Sequence, residues 1–201
     1  MIKLKEYKQL LESSKKESLD MSIADCHIPG VFSLVFSGTD HGNLTRAFIA
    51  TKKIKFGDVQ FHSHRYGLFL TPIKGVIEHH IAKEDHSGEY MMQVYNYRSP
   101  LNGGKGLVYS GEMAFNIKSH YMPIGSTTYL FSKDIHTMSC SKGSVWIVEE
   151  NGFDVDSSTV LGVPFVLDGL YNTPKQFQVN DMHQLVLRSV RNIVNEMEAI
   201  S

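Results

Sequence analysis

Residues 57–75 read GDVQFHSHRYGLFLTPIKG. Apolar and polar positions alternate through its first half, the pattern of a β-strand whose successive side chains point to opposite faces. On such a strand Gln60, His62 and His64 share one face, and Val59, Phe61 and Ser63 share the other. Two imidazoles converging from one strand are the start of a metal site, and at least one further ligand must come from elsewhere in the chain.

Working outward, strand-like segments recur. VFSLVFS (31–37), LTRAFIAT (44–51), IKGVIEHHIA (73–82), YMMQVYNY (90–97), EMAFNIK (112–118), STTYLF (126–131) and SVWIVEE (144–150) are rich in β-branched and aromatic residues. Turn signals separate them, among them Pro29-Gly30, SGTDHGN (37–43), Ser87-Gly88 and SPLNGGKG (99–106). Short strands with no helices between them predict an all-β barrel or sandwich over residues 21–172. Each end reads as a helix. Leu4, Tyr7, Leu10 and Leu11 recur at helical spacing within residues 3–18, with Ser13 and Ser14 weakening its second half. After Pro174, an apolar stripe of Met182, Val186, Val190, Ile193, Met197 and Ile200 predicts a helix over 180–200, with Asn180 or Asp181 as N-cap. That stripe is expected to pack on the barrel, a dimer contact being the sharper alternative. No repeat or linker divides the chain, so one domain is expected.

Composition narrows the function classes. The 201 residues are 42% hydrophobic and 20% charged, with a net charge of −1. No basic run interleaved with aromatics favours nucleic acid, and no apolar run approaches membrane-spanning length. Cys26 and Cys140 stand far apart, outside any Cys-x-x-Cys pattern, and the charged N-terminus lacks the apolar core of a signal peptide. A cytoplasmic protein acting on a small-molecule substrate is the expectation.

A second informative stretch, GSTTYLFSKDIHTMSC (125–140), reads as turn, strand, polar turn and a short strand carrying His136. Together the two stretches resemble the motifs of the cupin superfamily, small β-barrels of jelly-roll type. The first cupin motif runs Gly, five residues, His-x-His, three or four residues, Glu, six residues, Gly. Here it is matched by Gly57, His62, His64, Leu68 and Gly75, with the first Gly one residue closer and Leu68 in place of Glu. The second runs Gly, five residues, Pro-x-Gly, two residues, His, three residues, Asn. Gly125, Phe131, Lys133, His136 and Cys140 keep every one of its spacings, with Pro, Gly and Asn replaced. The resemblance implies a single cupin-like jelly-roll β-barrel with flanking helices, and a divalent metal on His62, His64 and His136.

Leu68 constrains the chemistry that the resemblance implies. Two His and one carboxylate suit non-haem Fe(II) oxygenases. Three neutral imidazoles leave the ion's charge uncompensated. They suit zinc-type water activation or the iron of the cysteine-dioxygenase-like cupins, which take an anionic thiolate substrate. Fe(II) is favoured, with Zn or Ni as the alternatives and a metal-free barrel as the limiting case. Binding through neutral imidazole weakens below about pH 6.5. Glu78 with His80, or His79 from the opposite strand face, and Glu112 or His120 are further ligand candidates, each more commonly a simple polar residue.

An anionic substrate needs a cation or donors beside the metal. Arg46, on the strand before the His pair, and Gln60 are the substrate-binding candidates, with Arg65, Tyr66 and Arg98 also available. Alternation sets Arg65 against His64. Tyr129 is the candidate catalytic acid, in the isomerase or epimerase chemistry also found on this fold. Cys140 and Trp146 are expected in the core. A cupin that binds a small ligand without redox chemistry is the competing class, and pairing of barrels into a homodimer is the expected assembly.

Overall fold

The computed structural model describes residues 2–25, 29–98, 103–162 and 179–200; Cys26, Pro174 and the expected barrel residues 163–172 lie outside them. Helices α1 (Ile2–Glu12) and α2 (Lys16–Leu19) precede strands β1 (Val31–Ser37), β2 (Thr45–Ala50), β3 (Phe61–His62), β4 (Tyr66–Lys74), β5 (Ile77–Glu84) and β6 (Tyr90–Arg98). Then come β7 (Gly106–Tyr121), β8 (Thr128–Leu130), β9 (Ile135–Cys140), β10 (Val145–Phe153), β11 (Ser158–Gly162) and helix α3 (Asn180–Ile200). The strands form two antiparallel arrays, a five-stranded sheet in the order β1-β2-β10-β4-β8 and a closed set in the order β11-β3-β9-β5-β7-β6. The all-β architecture with a helix at each end is the one the sequence predicts.

Alternation along the strands sorts the apolar residues into three clusters. One face of the five-stranded sheet presents Leu34, Phe36, Ala47, Ile49, Ile73, Val145 and Ile147 to Leu4, Tyr7 and Leu11 of α1 and Val186, Leu187, Val190 and Val194 of α3. The apolar stripe of α3 is thereby buried against this chain's own sheet. The other face carries Leu68, Leu70, Leu130, Trp146 and Val148, which join Ile77, Met138 and Cys140 of the closed set. Trp146 stacks on Phe48 at 5.5 Å between ring centroids. Phe61, Ala82, Val94, Phe115 and Leu161 form a third cluster on the opposite face of the closed set.

Several boundaries differ from those read in the sequence, each for a local reason. The first helix ends at Glu12 rather than running to 18, because Ser13 Oγ and Ser14 Oγ donate to the carbonyls of Gln9 (2.8 Å) and Leu10 (3.0 Å). His183 Nε2 of α3 adds a third bond, to Leu11 O at 2.9 Å. The 73–82 run is two strands, turning at Gly75 with φ +86°, where a Cβ would lie 2.3 Å from Ser144 Oγ. The histidine strand is the two-residue β3 alone. Beyond it the backbone is claimed on both sides: Ser63 N–H donates to Thr159 O (2.8 Å) and His64 N–H to Ser132 O (3.2 Å). The short β11 leaves no mark in the sequence, its five residues being too few to show a period. No helix among the described residues is long and apolar enough to cross a membrane.

Candidate metal centre

Strand register brings the histidines together. His62 on β3 pairs directly with His136 on β9, and His64 follows two residues on, in the link to β4. Ring centroids lie 4.9 Å apart for His62–His64, 5.3 Å for His62–His136 and 5.1 Å for His64–His136. One donor atom from each of the three falls within 4.8 Å of the others, a group able to hold a metal ion. Among the described residues, no Asp, Glu or Cys joins this group. His136 is buried while His62 and His64 are half-buried, so the cluster is approached from the His62–His64 side.

The donor set fits a metal in charge and direction. Burial, reinforced by repulsion from His64, His62 and His79, holds His136 well below the usual histidine range, so its ring is neutral at pH 7. His62 Nδ1 lies 2.9 Å from Gln60 O, a geometry in which Nδ1–H donates and Nε2 is left as the lone-pair nitrogen. Gln60 therefore reaches the site through its backbone. His64 Nε2 and His136 Nε2 are 2.9 Å apart. On its outer side His64 stacks on Tyr66 at 5.6 Å and 29°.

Further out, His136 Nδ1 lies 2.9 Å from Nε2 of His79 on β5. His79 is fully buried, and burial, then repulsion from His120 and His80, lowers its pKa to about 4. Cross-strand pairing sets His79 opposite His120 on β7, with ring centroids at 5.3 Å. A row of histidines thus crosses β3, β9, β5 and β7 on the face that also bears Met138 and Cys140. His80 points to the other face, where Ser119 Oγ (2.7 Å) and Ser139 Oγ (3.0 Å) occupy both its ring nitrogens. Of the two pairs that alternation offered from this strand, the one carrying His79 approaches the cluster, and Glu78 lies with His80 on the other side.

Other candidates are placed elsewhere. Tyr129, expected to face the histidines, is on the opposite face of the five-stranded sheet. Its neighbour Leu130 points inward, while Tyr129 packs on Phe69 (4.8 Å) and Phe131 (5.1 Å). Alternation on β8 decides this, and the histidine–tyrosine pairing needed for the isomerase chemistry is absent for that residue. Arg46 does lie on the inward face of β2, but its Nη2 donates to Glu150 Oε1 in a buried ion pair, and Glu150 Oε2 accepts from Gly42 N–H at 2.5 Å. This carboxylate is the cross-strand neighbour of Leu68, so the acidic group next to the vacant Glu position is already committed. Nothing in the sequence marks that pairing, because Arg46 and Glu150 lie 104 residues apart. Arg65 lies over the Phe153 ring at 5.1 Å, and Leu68 itself is a 2% exposed core residue. Glu112 and His120 are both exposed on β7, and Arg98 is exposed at the end of β6. Cys140 is buried, and burial pushes its thiol pKa up.

No protein-family model matches this sequence, and no curated protein matches it. Among solved structures, the chain is similar to the hydroxypropylphosphonic acid epoxidase from S. wedmorenis, at 12% identity and a TM-score of 0.39, over 72% of this chain and 56% of that one. It is also similar to an RmlC-like cupin from Shewanella frigidimarina NCIMB 400, at 12% identity and a TM-score of 0.36, over 77% of this chain and 88% of that one. A third is hydroquinone 1,2-dioxygenase from Sphingomonas sp. TTNP3 with 4-hydroxybenzoate bound, at 16% identity and a TM-score of 0.36, over 59% of this chain and 63% of that one. The chain thus spans just over half the length of the epoxidase, and similarity at this level says nothing about activity. The chain's own pair of antiparallel arrays sets a His-x-His segment beside a third His on the adjoining strand.

Proposed function

We propose that this protein is a metal-dependent enzyme whose His62, His64 and His136 hold a divalent ion, Fe(II), for oxygenation of a small anionic substrate. The observation that carries the reading is the convergence of three imidazoles within 4.8 Å around a buried, neutral His136, with no carboxylate in the group among the described residues. Fe(II) on three neutral ligands supplies redox chemistry with O2 and keeps a net positive charge that draws an anion, a thiolate among the candidates. The chain's own part is to direct and shield. The Gln60 carbonyl turns His62, the β3–β9 pairing fixes His136, and Tyr66 covers one side of His64. Leu68, Met138 and Cys140 belong to one apolar cluster, the last two on the strand that carries His136.

Metal analysis of protein purified without chelator, beside a His136→Ala variant, tests this. About one iron per chain, lost in the variant, is expected. Oxygen uptake with a panel of small thiols then tests the substrate class. Zinc or nickel in stoichiometric amount would move hydrolytic or isomerase chemistry ahead. Protein free of metal that still binds a small molecule would replace the enzyme with a binding module.

A further inference from the structure

The closed set of strands has a second cavity, on the face that the histidine cluster does not use. Alternation puts Phe61 opposite His62 on β3 and Ile135 opposite His136 on β9. Phe61 and Ile135 belong to the third apolar cluster, with Ala82, Val94, Phe115 and Leu161. Ala82, Val94, Phe115 and Ile135 floor a cavity of about 350 Å³, at the end where β5 finishes and β9 begins. That volume lies in the range of small-molecule sites, and the mouth of a β-barrel is a common place for one.

The rim of this cavity carries both signs of charge. Lys83, Glu84 and Lys133 line it and are exposed. Among the described residues, none of these three side chains makes a hydrogen bond or an ion pair. Asp134, also on the rim, is partly committed: its Oδ2 accepts from Phe131 N–H at 2.8 Å, which ties down the turn carrying Lys133. Thr159, fixed by backbone bonds to Ser63 (both 2.8 Å), adds a hydroxyl on the side of β11. We propose that this cavity binds a zwitterionic α-amino acid with an apolar side chain. Its carboxylate pairs with Lys133 and Lys83, its ammonium pairs with Glu84, and its side chain covers the apolar floor. A ligand of one charge sign would meet a like charge on the rim, which disfavours it. A ligand with no apolar part would leave the floor wet and forgo the gain from burial. The site lies on the opposite strand face from His62 and His136, so it does not rest on the metal reading.

The test is titration calorimetry of the whole chain, stripped of metal with chelator, against phenylalanine and leucine, with amide NMR to locate the site. Saturable binding is expected, with shifts at Lys83, Val94, Phe115 and Lys133. Glycine, which has nothing to bury, should bind at least about 10-fold more weakly than phenylalanine. Hydrocinnamate lacks the ammonium and phenethylamine lacks the carboxylate, and each should lose about 10-fold. Glu84→Gln should weaken phenylalanine by a similar factor and leave hydrocinnamate no weaker. Lys133→Gln should weaken phenylalanine and leave phenethylamine no weaker. Both substitutions are on the exposed rim, and unchanged thermal unfolding will show that the variants are folded. The proposal is overturned if neither amino acid binds at millimolar concentration, or if hydrocinnamate binds as tightly as phenylalanine. Shifts confined to His62, His64 and His136 would also overturn it. Because the protein is metal-free throughout, a failure of the metal-enzyme reading leaves each of these outcomes as it is.

Discussion

Glycine 67 illustrates how one residue on β4 fixes where a tyrosine can go. A Cβ there would lie 2.1 Å from Tyr129 Oη, on the face of the sheet opposite the histidines. Gly67→Ala should cost about 1–3 kcal/mol through overpacking. Adding Tyr129→Phe, which removes the offending oxygen, should recover a large part of it in urea unfolding. Tyr129→Phe alone should leave metal binding and turnover at wild-type level; a loss of activity would restore Tyr129 to the site. The Arg46–Glu150 pair behaves differently because both partners are buried. Arg46→Met strands the Glu150 carboxylate and should cost about 3–5 kcal/mol, while Arg46→Met with Glu150→Gln should be markedly less destabilised. If the single variant unfolds at the wild-type urea midpoint, the pair is not the structural unit its burial indicates. That outcome would return Arg46 to consideration as the anion-binding cation.

Among the elements, the helical layer packs on the five-stranded sheet while the histidine strands belong to the other array, which permits a clean test. Leu11 of α1 is fully buried between α3 and the outer face of the five-stranded sheet, and the histidines lie on the far array. Leu11→Ala should lower stability by about 2–5 kcal/mol and leave Co(II) affinity unchanged at temperatures where the variant is folded. A parallel loss of affinity would show that the layers are coupled. The same separation explains what is legible in the sequence. Periodicity is a local signal, so the α3 stripe, most of the strands and the inward position of Trp146 can be read from it. The three histidines become legible through motif spacing, although their placement depends on β3–β9 pairing. Contacts set by pairing between distant strands leave no local trace: His79 meets His136 across 57 residues and Arg46 meets Glu150 across 104. Alternation along the sequence assigns His79 to one of two faces but does not say which of them meets the site. β8 has only three residues and its inward member is Leu130, which turns Tyr129 to the other face without any local signal in the sequence.

For the molecule as a whole, the buried histidines tie stability to pH. In the unfolded chain His79 titrates near its ordinary value of 6.5, and in the folded protein near 4. His80 and His136 are shifted in the same direction, chiefly by burial. Between the two values the unfolded chain binds a proton that the folded one does not, so folding free energy rises with pH across that window. Above pH 6.5 all forms are neutral and stability is level. As pH falls toward 4, stability drains away, and below 4 the contribution of His79 no longer changes. For His79 alone the difference between pH 7.5 and pH 5 is about 2 kcal/mol. Urea unfolding of metal-free protein at those two pH values should show a loss at least this large. His79→Leu, lacking the titrating ring, should show a smaller one. Zn(II) should enlarge the drop in the wild type, because an ion that binds only neutral imidazoles adds its own stabilisation at high pH and is released as the ligands protonate. A pH dependence that is the same with and without Zn(II) would mean that the histidine row is a structural feature of the barrel and not a metal centre.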